Sequence, residues 1–229
     1  ADECIVLEPT DLHVVRAHKG ALWFAVDVLG LAAHGSHPER GLSAIEGMDQ
    51  VLQLLREQIR ADQGQVTHTL LSGPTLNVGT IRGGSAVNIV PDHCHVEVDR
   101  RTLPGEDPAL ILGRLRAGLA ALQQAGKLAG SGVRVLKDSP PFQAPEPSAL
   151  CARLLAACRH EGQASTAVGA SWHSDAGALA RTCRDIVVFG PGSIRQAHTA
   201  DEYIEIDELY KGYQVLRRFL LLTARGEAE

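Results

Sequence analysis

The segment Asp92-His-Cys-His-Val-Glu-Val-Asp-Arg-Arg-Thr102 alternates polar and apolar side chains over most of its length. The polar positions are His93, His95, Glu97 and Asp99, and the apolar positions between them are Cys94, Val96 and Val98. Successive side chains of a β-strand point to opposite faces. This period of two therefore predicts an antiparallel strand with one face in a core and the other in solvent.

Helices and strands are predicted on both sides of this strand from apolar periodicity and from the Gly and Pro residues that interrupt it. In chain order the predictions are a strand at 19–32, a helix at 42–59, strands at 76–81 and 92–102, a helix from Pro108, and a strand at 133–136. The order β-α-β-β-α-β predicts a ferredoxin-like α+β domain over residues 17–136. Its two helices cover one face of the sheet, and the other face or an edge remains available to a partner.

The flanking residues have a different pattern. Ile186 to Phe189 is a short, wholly apolar run, which is typical of a strand buried on both faces in a parallel sheet. Helices are predicted at 148–160 and after Asp207, which is a candidate helix cap. One more buried strand is predicted within residues 1–16. Residues 1–16 and 137–229 are therefore expected to form an α/β domain that the α+β domain interrupts.

The composition is that of a globular protein, because 45% of the 229 residues are hydrophobic, 21% are charged and the formal net charge is −5. The sequence contains no basic tract, which argues against a nucleic-acid partner. It also contains no apolar run near the roughly 18 residues of a membrane span and no signal-peptide pattern, so a soluble, cytoplasmic protein without a membrane partner is predicted. The five cysteines form no Cys-x-x-Cys pair, which favours buried free thiols.

Three short segments carry side chains suited to binding metals or substrates. Glu8 follows an apolar run, at the strand end where open α/β sheets place ligands, although a surface glutamate fits the same pattern. His198 lies in a Gly-rich loop, where an imidazole either binds a metal or is satisfied by backbone groups. His34 and His37 lie at a turn, where they could bind a metal, bind an anionic substrate or face water.

Five segments, taken together, resemble one protein family in sequence, order and spacing. They are Val6-Leu-Glu-Pro-Thr10, Gly30-Leu-Ala-Ala-His-Gly-Ser-His-Pro-Glu-Arg-Gly-Leu-Ser-Ala-Ile45, Gly84-Ser-Ala-Val-Asn-Ile-Val-Pro91, Asp99-Arg-Arg-Thr-Leu-Pro-Gly105 and Gly190-Pro-Gly-Ser-Ile-Arg-Gln-Ala-His-Thr-Ala-Asp-Glu-Tyr-Ile204. Over essentially its whole length the chain is similar to the zinc-dependent amidohydrolases and peptidases that include acetylornithine deacetylase, succinyl-diaminopimelate desuccinylase and carboxypeptidase G.

The resemblance implies an activity and roles for five residues. Glu8 would be a terminal ligand of one zinc ion and His198 of a second, with cobalt or manganese as alternatives. His34, in the lid domain of a homodimer, would reach the active site of the partner subunit and donate a hydrogen bond to the oxygen that gains charge in the tetrahedral intermediate. Asn88 would contact the substrate, and Arg101 would bind its α-carboxylate. The implied reaction is hydrolysis of the amide bond of an N-acyl amino acid or short peptide.

The resemblance also implies that most of the metal ligands lie outside this chain. In the family, a His-x-Asp motif, a bridging Asp and a Glu-Glu pair precede the Glu-Pro-Thr strand, whereas Glu8 is almost the first residue here. The α/β domain is therefore expected to be incomplete at its N-terminal side. The chain by itself is expected to be inactive, because a catalytic zinc typically needs three protein ligands.

Three interpretations remain open at this point. The first is a part of a hydrolase, and the second is a non-catalytic dimerisation or regulatory module derived from such an enzyme. The third is a protein that binds peptides or amino acids through His34, Asn88 and Arg101, which would leave the metal motif unexplained. The presence of both Glu8 and His198 favours the first interpretation.

Overall fold

The computed structural model describes residues 2–164 and 166–225. In chain order the elements are β1 (Glu3–Val6), β2 (Val14–His18), β3 (Gly20–Leu29), α1 (Ala44–Gln65), β4 (Thr75–Gly83), β5 (His93–Thr102), α2 (Pro108–Gln124), β6 (Gly130–Ser139), β7 (Phe142–Gln143), α3 (Ala149–His160), β8 (Ala167–Ala170), α4 (Ala176–Leu179), β9 (Asp185–Val188) and α5 (Ile206–Arg225). A 3-10 turn, Pro38–Arg40, lies between β3 and α1.

Contacts between residues divide the chain into two compact units. Unit 1 comprises Ala1–Gly20, Thr69–Leu71 and Ser139–Glu229, and unit 2 comprises Ala21–His68 and Ser72–Asp138. Unit 2 thus interrupts unit 1 in the sequence. Among the described residues, unit 2 has one hydrophobic cluster and unit 1 has two.

Unit 2 contains a four-stranded sheet with the strand order β4-β5-β3-β6 and the chain order β-α-β-β-α-β. This is the predicted ferredoxin-like unit. In β5 the predicted alternation is confirmed, because Cys94, Val96 and Val98 are buried in one cluster with residues of α1 and α2. On the other face of the strand, His93 is exposed and His95 is partly exposed.

Both helices of unit 2 begin at a side-chain cap. The Ser43 hydroxyl accepts a hydrogen bond from the Glu46 N–H at 3.3 Å, and the Asp107 carboxylate accepts one from the Ala109 N–H at 2.8 Å. Because caps satisfy amide groups that a helix leaves unpaired, each contributes on the order of 1 kcal/mol. In the described part of the chain, none of the helices has the length and apolar character needed to cross a bilayer.

The sheet of unit 1 has the order β1-β9-β2-β7, with β8 also paired to β2. It is mixed rather than wholly parallel, because β9 runs parallel to β1 and antiparallel to β2. The apolar run in β9 is buried on both faces, as predicted. Val187 packs in the cluster that contains α3 and α5, whereas Ile186 and Val188 pack in a cluster that contains Ala176 of α4.

Two expectations for unit 1 were wrong. Residues 1–16 contain two strands instead of one, because the chain turns through Asp11 and Leu12, whose φ angles are 51° and 57°. The first of these strands, β1, is partly exposed because it lies at an edge of the sheet. Helix α5 begins at Ile206, so Asp207 lies inside its first turn and is not its cap. Its negative charge interacts favourably with the helix dipole there.

All five cysteines are free. Cys94, Cys151 and Cys158 are buried as predicted, whereas Cys4 and Cys183 are partly exposed. Burial raises the pKa of the Cys158 thiol to about 11, so this thiol stays protonated and unreactive near neutral pH.

Candidate metal and substrate sites

Glu8 follows β1 in a segment that is tied to the loop after β9. The Thr10 hydroxyl donates to the Gly190 carbonyl oxygen and accepts from the Gly190 N–H, both at 3.1 Å. The Asp11 N–H donates to the Gly192 carbonyl oxygen at 2.8 Å. A Cβ atom on Gly190 would lie 2.6 Å from the Glu8 carbonyl oxygen, so a glycine is needed for the two segments to approach this closely.

His198 lies in the loop between β9 and α5, and its ring is exposed. Its φ angle of 63° is uncommon for a residue other than glycine. The His198 N–H donates to the Glu202 carboxylate at 3.0 Å, and the Gln196 side-chain amide donates to the Tyr203 hydroxyl at 3.4 Å. The residues of the Asp-Glu-Tyr segment therefore hold the backbone that carries His198.

The charges around Glu8 identify its neighbours. Burial raises the pKa of Glu8, the negative charge of Asp175 raises it further, and His198 lowers it. Both side chains are therefore close enough to act on the Glu8 carboxylate. The charges of His198 and Asp175 thus both act on Glu8, and Asp175 was not among the predicted ligands.

Asp175 belongs to a His-x-Asp sequence, His173-Ser174-Asp175, although the prediction of metal ligands from the sequence had found no His-x-Asp in this chain. That prediction noted only that Ser174-Asp175-Ala176 resembles a substrate-side loop of the family. The segment lies between β8 and α4, and Ser174 and Asp175 immediately precede α4. The motif comprises only three residues, and a motif this short often arises by chance. Its position next to Glu8 became visible only in the folded chain.

These donors do not make up a metal centre by themselves. Within residues 2–164 and 166–225, no group of three or more His, Cys, Asp or Glu side chains could hold an ion. A catalytic zinc ion typically has three protein ligands and a water molecule. Glu8 and His198 therefore fit a metal ion only if further donors join them.

In unit 2, His34 and Asn88 lie side by side on two loops. Residues 34 and 89 form a β-bridge, and the Gly35 N–H donates to the Asn88 carbonyl oxygen at 2.7 Å. The Ser36 N–H lies 3.2 Å from His34 Nδ1 and donates to it, so Nδ1 is an acceptor and the neutral ring carries its proton on Nε2. Both residues are exposed, and His34 can therefore offer Nε2–H to a ligand.

Arg101 lies at the other end of the β4–β5 ladder. Gly83, which precedes the Asn88 turn, pairs with Cys94, whereas Arg101 pairs with Thr75. The separation along β5 is about 23 Å at the usual rise of a strand residue. Arg101 donates from Nε and Nη2 to Asp99 at 3.2 and 2.9 Å. One copy of unit 2 thus does not bring Arg101 together with His34 and Asn88.

Comparison with known proteins identifies the class first. Residues 16–127 match the peptidase dimerisation domain of the M20 type (M20_dimer). The chain is 34% identical over 212 residues to the acetylornithine deacetylase of Edwardsiella ictaluri (strain 93-146), a match that covers 90% of this chain and 53% of that protein. The chain therefore spans about half the length of the curated relatives it matches.

Solved structures share the fold. A tripeptidase from Staphylococcus aureus subsp. aureus Mu50 superposes with a TM-score of 0.77 at 24% identity, covering 98% of this chain and 58% of that one. An M20 family metallo-carboxypeptidase from Sulfolobus solfataricus gives a TM-score of 0.73 at 18% identity, covering 96% and 63%. The chain thus contains a peptidase dimerisation domain of the M20 type, and most of its length is similar to acetylornithine deacetylases.

Proposed function

We propose that this chain is part of a metal-dependent amidohydrolase that cleaves the amide bond of N-acyl amino acids or short peptides. The observation that carries the proposal is the electrostatic interaction of Glu8, which follows β1, with His198, in the loop between β9 and α5, in a chain that contains an M20-type dimerisation domain. A carboxylate oxygen and an imidazole nitrogen are ligands that zinc accepts. The relatives named acetylornithine deacetylase support the substrate class.

The proposed metal ions rest on the similarity to the M20 family. We propose two zinc ions in the complete protein, with cobalt or manganese as alternatives, and such ions would supply an acidified water molecule. Glu8 would be a terminal ligand of one ion and His198 of the other. The remaining ligands and the general base would come from residues outside this chain, and the chain alone would be inactive.

The residues of unit 2 would act on the substrate. His34 would donate its Nε2–H to the carbonyl oxygen as that oxygen gains charge, and Asn88 would contact the same substrate. Arg101 would bind the α-carboxylate. Since about 23 Å of strand separates Arg101 from the Asn88 turn, the two residues could contact one small substrate only if they came from different subunits. This separation supports a homodimer in which each active site uses both chains.

The proposal is tested on two proteins, the product of the complete reading frame and the 229-residue chain. Release of free amine from N-acetylornithine and a panel of N-acyl amino acids is measured with added zinc, cobalt or manganese. We expect turnover by the complete product and none by the chain. His198→Ala should abolish that turnover, whereas His160→Ala, at the exposed end of α3, should not.

Two results would contradict the proposal in different ways. Metal-dependent turnover by the 229-residue chain, lost in His198→Ala, would show that the chain is active by itself. A complete product that cleaves no substrate of the panel with any of the three metals would remove the enzymatic function. That second result would favour the non-catalytic dimerisation module, which agrees with the lack of a metal-binding group of side chains in the described residues.

A further inference from the structure

We infer that His18 is a positioning residue whose ring holds the loop His173-Ser174-Asp175 on the sheet and so fixes the backbone of Asp175, the residue whose charge acts on Glu8. The inference rests on the proposed function, because the position of Asp175 matters for catalysis only if Glu8 belongs to an active site. His18 ends β2 and lies outside the five segments that resemble the family.

Both ring nitrogens of His18 contact backbone groups. Nδ1 lies 3.0 Å from the Lys19 carbonyl oxygen, and Nε2 lies 3.3 Å from the amide nitrogen of Ser174. A carbonyl oxygen accepts and an amide N–H donates, so Nδ1 carries the ring proton and Nε2 is the acceptor. The ring therefore joins the end of β2 to the middle residue of the His-x-Asp loop.

The surroundings of the ring keep it neutral. His18 is 0% exposed, and its ring centre lies 5.2 Å from that of Phe142 and 6.3 Å from that of Trp172. Burial lowers the pKa of His18 to about 4, and the nearby His173 also lowers it. A neutral ring is what the hydrogen bond from Ser174 requires, because a protonated Nε2 would direct its own N–H at the N–H of Ser174.

Ser174 passes this constraint to Asp175. The Ser174 hydroxyl oxygen accepts from the Ala176 N–H at 3.3 Å, and the Asp175 carbonyl oxygen accepts from the Leu179 N–H at 3.0 Å. These bonds close the first turn of α4 directly after the loop. The backbone of Asp175 is therefore fixed on one side by Ser174 and on the other by the turn.

Packing at Gly177 removes the remaining freedom of this turn. A Cβ atom there would lie 2.0 Å from the Pro140 carbonyl oxygen and 3.3 Å from Cε1 of His18. The turn thus sits directly on the His18 ring. Asp175, which this turn carries, is close enough to Glu8 to raise its pKa. A shift of the His18 ring would consequently move Asp175 relative to Glu8.

Two substitutions separate positioning from simple packing. His18→Gln places an amide oxygen near the site of Nε2, where it can accept from Ser174. His18→Asn places its amide near the site of Nδ1, where it can donate to Lys19 but cannot reach Ser174. We expect hydrogen–deuterium exchange of the Ser174 amide in the 229-residue chain to become about tenfold faster in His18→Asn. It should remain near the wild-type rate in His18→Gln.

Activity of the complete protein gives the second readout. His18→Asn should lower kcat with little change in KM, and His18→Gln should restore most of kcat. Equal exchange rates at Ser174 in the two variants would overturn the inference. Exchange of the Ser174 amide could be faster in His18→Asn than in His18→Gln while the complete protein has no amidase activity. That result would support the role of His18 in holding the loop and would contradict the proposed function instead.

A measurement on the unmodified chain covers the case in which neither variant folds. The ¹⁵N chemical shifts of the His18 ring report which nitrogen carries the proton. We expect a protonated Nδ1 and an unprotonated Nε2 at neutral pH. A ring protonated on Nε2 could not accept from Ser174, and this result would also overturn the inference.

Discussion

Arg100 is fully buried in unit 2 although its guanidinium group is permanently charged. Its Nη2 atom lies 2.9 Å from an oxygen of Asp62 at the end of α1 and 2.6 Å from an oxygen of Glu106 in the loop before α2. Arg114 of α2 shares the Asp62 carboxylate at 2.7 Å. The four side chains thus neutralise one another between two helices and the sheet.

We expect Arg100→Met to destabilise unit 2 by about 3–5 kcal/mol, because it leaves two buried carboxylates short of a positive partner. Arg114→Met is the matched control. It removes an arginine from the same Asp62, but the Arg114 side chain is half exposed, so its loss should cost no more than about 1 kcal/mol. Urea unfolding of the two variants measures the difference, and equal losses would contradict the assigned role of Arg100.

The His18 ring makes the stability of unit 1 depend on pH. Its pKa is about 4 in the folded chain and 6.5 in an ordinary environment, so the unfolded chain binds a proton more readily. Neutral His18 therefore contributes stability that is complete above pH 6.5 and is lost as the pH falls towards 4. The loss amounts to about 3 kcal/mol. Urea unfolding at several pH values measures the free energy of unfolding. Between pH 6.5 and 4 it should decrease less in His18→Gln than in wild type, and an equal decrease in both would contradict this assignment.

At the scale of elements, the ends of β1 and β9 are set by a close backbone contact. Gly190→Ala would place a methyl group 2.6 Å from the rigid Glu8 carbonyl oxygen. We expect it to destabilise the chain by about 1–3 kcal/mol, the range for a strained or overpacked site. Gly113→Ala, in α2, is the control because nothing lies within 4 Å of the added atom.

That control should stabilise the chain by roughly 0.5–1 kcal/mol, since alanine favours the helix. Thermal unfolding monitored by circular dichroism compares the two glycine variants. A Gly190→Ala chain as stable as wild type would mean that the two strand ends can separate without cost.

Periodicity in the sequence predicted the elements with strong local patterns, such as β5 and α1, and their order gave the fold of unit 2. It missed β8, because Ala167-Val-Gly-Ala170 is short and built of small residues. It also treated residues 1–16 as one strand and so overlooked Pro9 and Asp11, which are residue types that favour turns. Proximity across long stretches of sequence, such as that of Glu8 to Asp175, has no local pattern and required the folded chain.

At the scale of the whole molecule, the dimerisation domain predicts a homodimer. Light scattering should give a mass near twice the 24.4 kDa of one chain. That mass should stay constant over a tenfold range of concentration, because a closed two-fold interface takes up one partner. A mass that keeps rising with concentration would indicate open-ended association of exposed apolar surface, and a mass of one chain would contradict the dimer.

The pairing of β1 with β9 also governs how the chain must acquire its structure. Thr10 and Gly190 are hydrogen-bonded although 180 positions separate them, whereas most contacts of unit 2 lie within one inserted stretch. Contacts between distant residues form slowly, because a long loop must close first. On a ribosome, β9 would be made long after β1, because all of unit 2 is translated between them. Unit 2 would have time to fold in that interval, so the pairing of β1 with β9 would be a late step.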